Sequence, residues 1–236
     1  MRVSLLFGEN WKAYQLVLIG LIFTCLAWGE YNDFISDALD HYIKKKYGTR
    51  AEKRILSWQN LIKSNQQNSD WEKLNLVNNF FDRIPYATDL EHWGQYDYWA
   101  TPIEMLATNG GDCEDYAIGK YFTLRALGVP TEKMRITYVI LTDMNQPHMV
   151  LAYYKTPDAE PLILDNIQKR IIPASGRPDL QPVYGFNGDG LWEKHERGNE
   201  LKEDNKGVFP WQDLNERMVS EMNKYADTAT VTAAGN

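Results

Sequence analysis

The sequence predicts an α+β domain, and three observations predict it. Apolar residues recur at helical spacing through the first half of the chain. Between Met134 and Asp165 the period falls to two, the mark of half-buried strands. Between these halves, Asn109-Gly110-Gly111 breaks the chain directly before a long apolar helix headed by Cys113. Helices first and strands later put the two in separate layers, with an antiparallel sheet where short turns join consecutive strands.

The first thirty residues stand apart. Arg2 and Lys12 precede an uncharged stretch, Ala13 to Trp28, at the short end for a spanning helix and typical of a secretory signal. Residues 1–30 therefore read as a signal peptide or an uncleaved signal-anchor, and the protein as exported. Residues 31–226 form the domain and 227–236 a flexible tail of small residues.

Within the domain, 31–63 reads as helix interrupted near Gly48. Ser69 or Asp70 caps the next helix, whose Leu74, Val77, Phe80 and Phe81 face a core, and Pro85 ends it. An aromatic loop follows, His92 to Trp99. Pro102 opens a short helix, since proline is tolerated in a first turn. The Cys113 helix runs to Leu127, with Gly128 as its C-terminal cap and Pro130 blocking continuation. Met134–Leu141, His148–Tyr154 and Pro161–Asp165 read as strands, Pro182–Phe186 as a further one, Asn199–Lys206 as polar loop and Asp213–Tyr225 as a final helix.

The net charge of −7 and the lack of a long basic run exclude nucleic acid as a natural partner. The chemistry points to cysteine. Of two cysteines, Cys25 lies in the export segment, which leaves Cys113 without a disulfide partner. A helix N-terminus favours the thiolate through its unpaired N–H groups and dipole. His148 opens one strand and Asp165 closes another. On neighbouring strands they would meet at one end of the sheet, Asp165 fixing the imidazole and His148 taking the thiol proton. His41, His92 and His195 have no metal-ligand spacing partner.

Gly111-Asp112-Cys113-Glu114-Asp115-Tyr116-Ala117, Leu127-Gly128-Val129-Pro130, His148 and Asp165 together resemble the transglutaminase-like cysteine peptidases. Trp99-Ala100-Thr101-Pro102-Ile103-Glu104-Met105-Leu106 narrows the resemblance to the bacterial LapG-like branch. The resemblance implies a papain-like fold with the nucleophile helix packed on an antiparallel sheet. It implies a periplasmic endopeptidase that cuts a large LapA-like surface adhesin at a paired-alanine site near its N-terminus, and so controls biofilm attachment. It also implies capture by an inner-membrane cyclic-di-GMP receptor of the LapD type.

Asp112, Glu114 and Asp115 crowd the nucleophile with negative charge, which would raise the thiol pKa. A hard cation would remove that penalty, and carboxylates suit calcium. The resemblance implies Ca2+ at these three positions. The alternative is that they only cap the helix, as Asp112 is placed to do. Trp99, nearest the motif among the loop aromatics, is expected to line the substrate cleft; the alternative for it is core packing. Two other functions fit the same residues: acyl transfer to an amine, as in a true transglutaminase, or a non-catalytic binding module.

Overall fold

The computed structural model describes residues 37–195, 198–203 and 208–233. The expected export segment, 1–30, and residues 31–36 lie outside the described residues. Among the described residues no helix is long and apolar enough to cross a membrane.

The helical half comes first. Helix α1 spans Asp37–Tyr47 and α2 spans Thr49–Ser64. Gly48 between them has φ 86, a left-handed conformation that glycine adopts without strain. Helix α3, Asp70–Phe81, starts at Ser69, whose hydroxyl accepts from the Glu72 amide while Glu72 accepts from the Ser69 amide. Of the two capping candidates it is thus Ser69 that caps. Asp70 instead accepts from Lys133 Nζ at 2.9 Å and from the Tyr153 hydroxyl at 2.6 Å, pinning α3 to the sheet. A four-residue helix, α4 (Asp89–His92), follows, then α5 (Pro102–Thr108) with Pro102 in its first turn. Helix α6, Cys113–Ala126, is buried along nearly its whole length.

The strands are β1 (Met134–Leu141), β2 (Gln146–Tyr153), β3 (Leu162–Leu164), β4 (Ile172–Pro173), β5 (Leu180–Phe186), β6 (Leu191–His195) and β7 (Gly198–Glu203). They form one sheet in the order β4-β3-β2-β1-β5-β6-β7, and every pairing is antiparallel. The main core lies between this sheet and α6. It is built from Ile118, Tyr121, Phe122 and Leu124 against Met134, Ile136, Leu151, Tyr153 and Phe186. Helix α7, Phe209–Ala233, returns to close it, with Trp211 stacked on Phe122 at 5.4 Å. The opposite face of the sheet carries a smaller apolar cluster, Val139, Val150, Ala152, Tyr154 and Ile163.

Two expectations are corrected. The segment read as loop from Asn199 to Lys206 is mostly strand β7, paired with β6. An edge strand is held by main-chain hydrogen bonds, so a polar sequence without alternation can form one. The final helix begins at Phe209 and runs to Ala233, taking in most of the stretch read as tail. No glycine or proline interrupts 211–234, and alanine is the best helix former. Residues 234–236 lie outside the described residues.

Candidate active site

Cys113 is the first residue of α6, so its own N–H has no partner within the helix. The two glycines before it are required for close approach rather than for looseness. A Cβ on Gly110 would meet the His92 ring at 2.6 Å, and one on Gly111 would meet Asp115 Oδ2 at 2.6 Å. Both glycines are buried. They let the chain pass under α4 and enter α6 with Cys113 facing β2. The backbone amide of Met149 lies against the Cys113 sulfur.

The strand register brings the other two residues together. β2 and β3 pair with Leu151 opposite Leu164. One step further along, Asp165 falls opposite Val150, and His148 lies two residues from Val150 on the same face. The two side chains meet: His148 Nε2 and Asp165 Oδ1 are 2.8 Å apart, and both are buried. Cys113 and His148 line one cavity of about 680 Å³ together with Trp99, Tyr138, Tyr184 and Tyr96.

Asp165 is held by more than His148. Its Oδ2 accepts from Arg177 Nη1 at 2.7 Å, and its Oδ1 also accepts from the Ile167 amide at 3.0 Å. Its backbone carbonyl accepts from the buried Lys120 Nζ at 3.0 Å. Lys120 sits two turns into α6, so the helix that begins at Cys113 grips the strand end that carries Asp165. Burial alone would raise the Asp165 pKa, but the hydrogen bonds from His148, Ile167 and Arg177 overcome it and hold the carboxyl well below the usual range. Asp165 is thus anionic, and His148 Nε2 donates to it.

The acidic cluster is larger than its sequence suggests. Asp89, on α4, and Asp97, in the aromatic loop, join Asp112 and Glu114. Oxygens of Asp89, Asp97 and Glu114 lie within 4.8 Å of one another, as do those of Asp89, Asp112 and Asp115. Asp89 Oδ1 and Asp112 Oδ1 are buried without a hydrogen-bond partner. Unsatisfied buried anionic oxygens are costly, and a hard cation would satisfy them. Asp115, by contrast, is committed to the backbone: Oδ1 accepts from Ala100 N at 2.7 Å and Oδ2 from Asp112 N at 3.3 Å.

Without a cation the cluster works against a thiolate at Cys113. Burial first, then Asp112 and Asp97, push Asp89 up to about 6, against the pull of a Tyr98 amide. Burial and the neighbouring Glu114 push Asp112 up to about 8. Cys113 itself is raised, first by burial and then by Glu114, whose Oε2 takes the thiol proton's hydrogen bond at 3.0 Å.

Trp99 lines the cleft but is mostly core. It is 7% exposed, stacks on Phe186 at 5.7 Å and donates from Nε1 to Asp97 at 3.0 Å. It borders the cavity and packs in the core. Arg217 of α7 donates to the Trp99 carbonyl at 2.5 Å and to Glu104 at 2.7 Å, which ties the aromatic loop down.

Residues 44–178 match the model of the family described as bacterial transglutaminase-like cysteine proteinase. This chain belongs to that family. Legionella pneumophila LapG is similar in fold and sequence. Its EGTA-treated structure aligns with a TM-score of 0.70 and 44% identity, covering 78% of this chain and 98% of that one. Its calcium-bound structure aligns with a TM-score of 0.67 and 43% identity, covering 78% and 99%. No curated protein sequence matches. As a bacterial transglutaminase-like cysteine proteinase, the protein is a cysteine peptidase with the mixed helical and antiparallel-sheet fold of LapG.

Sequence reasoning missed four residues of this site's surroundings. Asp89 had a signal, because Thr88-Asp89-Leu90-Glu91 has the spacing of a helix N-cap, and Thr88 does cap α4. Lys120 also had one: a lysine flanked by Ile118, Tyr121 and Phe122 in the middle of a buried helix must find buried partners. Asp97 and Arg177 lie in loops, and nothing local marks them.

Proposed function

We propose that this protein is a calcium-dependent endopeptidase of the periplasm, in which Cys113 is the nucleophile, His148 the general base and acid, and Asp165 the group that orients His148. The observation that carries this is the buried His148–Asp165 pair at 2.8 Å beside a cavity that Cys113 also lines. Because Nε2 is bound to Asp165, Nδ1 is the ring nitrogen left to take the thiol proton.

The sequence of steps follows. Cys113 gives its proton to His148 Nδ1, and the thiolate adds to the peptide carbonyl carbon. The backbone N–H of Cys113 stabilises the developing oxyanion. The C–N bond breaks as the imidazolium returns the proton to the departing amine. Water then attacks the thioester and gives its proton to Nδ1; the C–S bond breaks and the proton goes back to sulfur. Asp89, Asp97, Asp112 and Glu114 would hold the calcium ion, whose charge offsets the negative field that keeps Cys113 protonated.

The cleft suits an uncharged peptide stretch. Its walls are aromatic, and Asp97 and Glu114 are the carboxylates that line it. We take the substrate to be the N-terminal region of a large surface adhesin, cut at paired alanines, with a cyclic-di-GMP receptor of the inner membrane as the controlling partner. Both follow from the likeness to LapG-like peptidases. The test is to incubate the protein with an adhesin N-terminal fragment, with calcium or with chelator, beside Cys113→Ala. Cleavage that needs both calcium and Cys113 supports the reading. An isopeptide product would assign amine transfer instead, and no product under any condition would leave a binding module.

A further inference from the structure

The sheet's second face carries a cavity that none of Cys113, His148 and Asp165 lines. It has a volume of about 580 Å³ and lies over the apolar cluster of Val139, Val150, Ala152 and Ile163. These floor residues are all at most 7% exposed. The walls come from the β2–β3 turn around Asp158, from the segment before β5, and from Trp192 of β6.

One cation dominates it. Arg135 projects from β1 with its guanidinium 4.5 Å from the Tyr154 ring centroid and 4.4 Å from that of Trp192. Both rings lie within cation–π distance of the guanidinium and hold it in place, while its N–H groups still need acceptors. One of these groups, Nε, is unsatisfied. Nε is shut off from solvent and has no acceptor, and among the described residues no carboxylate pairs with Arg135. Asp158 lines the same cavity without reaching it. The other lining arginine, Arg177, is already engaged by Asp165 and Asp179. A carboxylate in the cavity would pair with this guanidinium, and a small turn of the side chain that uncovers Nε would let it take Nε and one Nη together. The apolar floor beyond would cover a hydrocarbon body.

We propose that this cavity is a second binding site, for a carboxylate borne on an apolar chain, with Arg135 as its anchor. Two sources share that chemistry: a free fatty acid and the C-terminal carboxylate of an apolar peptide. The test uses titration calorimetry on the full chain with decanoate, its neutral isostere decanamide, and a peptide ending in Val-Leu as free acid or as amide. Saturable decanoate binding, roughly tenfold tighter than decanamide, is expected for a charge-assisted pair. Arg135→Gln should abolish the difference between the two. Tighter binding of the peptide acid than of decanoate would assign the site to a chain terminus, and the reverse to a fatty acid. Equal binding of decanoate and decanamide by the unaltered protein overturns the proposal, and that comparison holds whether or not Arg135→Gln folds. Absence of saturable decanoate and peptide-acid binding at millimolar concentration overturns it too.

Discussion

Replacing Arg177 by glutamine tests whether the His148–Asp165 pair depends on a third buried group. The Arg177 and Asp165 side chains are 5% and 0% exposed, and their contact is 2.7 Å. Removing one partner of a buried ion pair leaves the other charge uncompensated, which costs about 3–5 kcal/mol. The Arg177–Asp179 contact adds little, because Asp179 is a third exposed. Equilibrium urea unfolding should therefore show a loss of about 3 kcal/mol, with an unchanged slope.

The pH dependence gives a second reading of the same change. Asp165 sits below its ordinary value in the folded state, so it contributes stability that is present above the unfolded value. That contribution is lost as pH falls through the folded value. Without Arg177 the folded value rises, so acid unfolding of Arg177→Gln should begin at higher pH than in the parent protein. Peptidase turnover should fall because His148 is oriented less well, and Arg177→Lys should recover only part, lacking the planar fork. A stability change within about 0.5 kcal/mol, together with unchanged turnover, would refute the reasoning.

Other outcomes follow from the same contacts. Gly119→Ala places a Cβ 2.4 Å from the buried Phe81 ring, so α6 must shift. The expected cost, about 1–3 kcal/mol from overpacking, exceeds the helix-propensity gain and is measured by thermal melting. Lys120→Met removes the donor that Asn78, Asp82 and the Asp165 carbonyl share, and should destabilise by about 3 kcal/mol in urea. Asp89→Asn should weaken calcium binding roughly tenfold in calorimetry and shrink the rise in melting temperature that calcium gives, while keeping an oxygen for the Tyr98 amide.

Local rules read much of this fold correctly. Ser69 with Glu72, Pro102, the Gly128 turn and the position of Cys113 at a helix start each depend on residues within four positions of one another. Gly128 does adopt a positive φ, 83. His148 and Asp165 were legible as strand-end residues because their flanking strands alternate cleanly. What escaped depends on distant contacts. Arg177 meets Asp165 from an irregular segment between β4 and β5, and Asp97 meets Asp89 and Glu114 only after the aromatic loop has folded back. Asp115 has a second role that the acidic run did not reveal: its oxygens accept from the amides of Ala100 and Asp112, while they also lie with those of Asp89 and Asp112 in one acidic group.

The central claim is that Cys113 becomes a nucleophile only with His148 beside it and a cation offsetting Asp112 and Glu114. Iodoacetamide alkylation of Cys113 at neutral pH, followed by peptide mapping and mass spectrometry, measures this directly. Rapid labelling with calcium is expected, at least tenfold slower with chelator or in His148→Ala. Equal rates under all three conditions would contradict it.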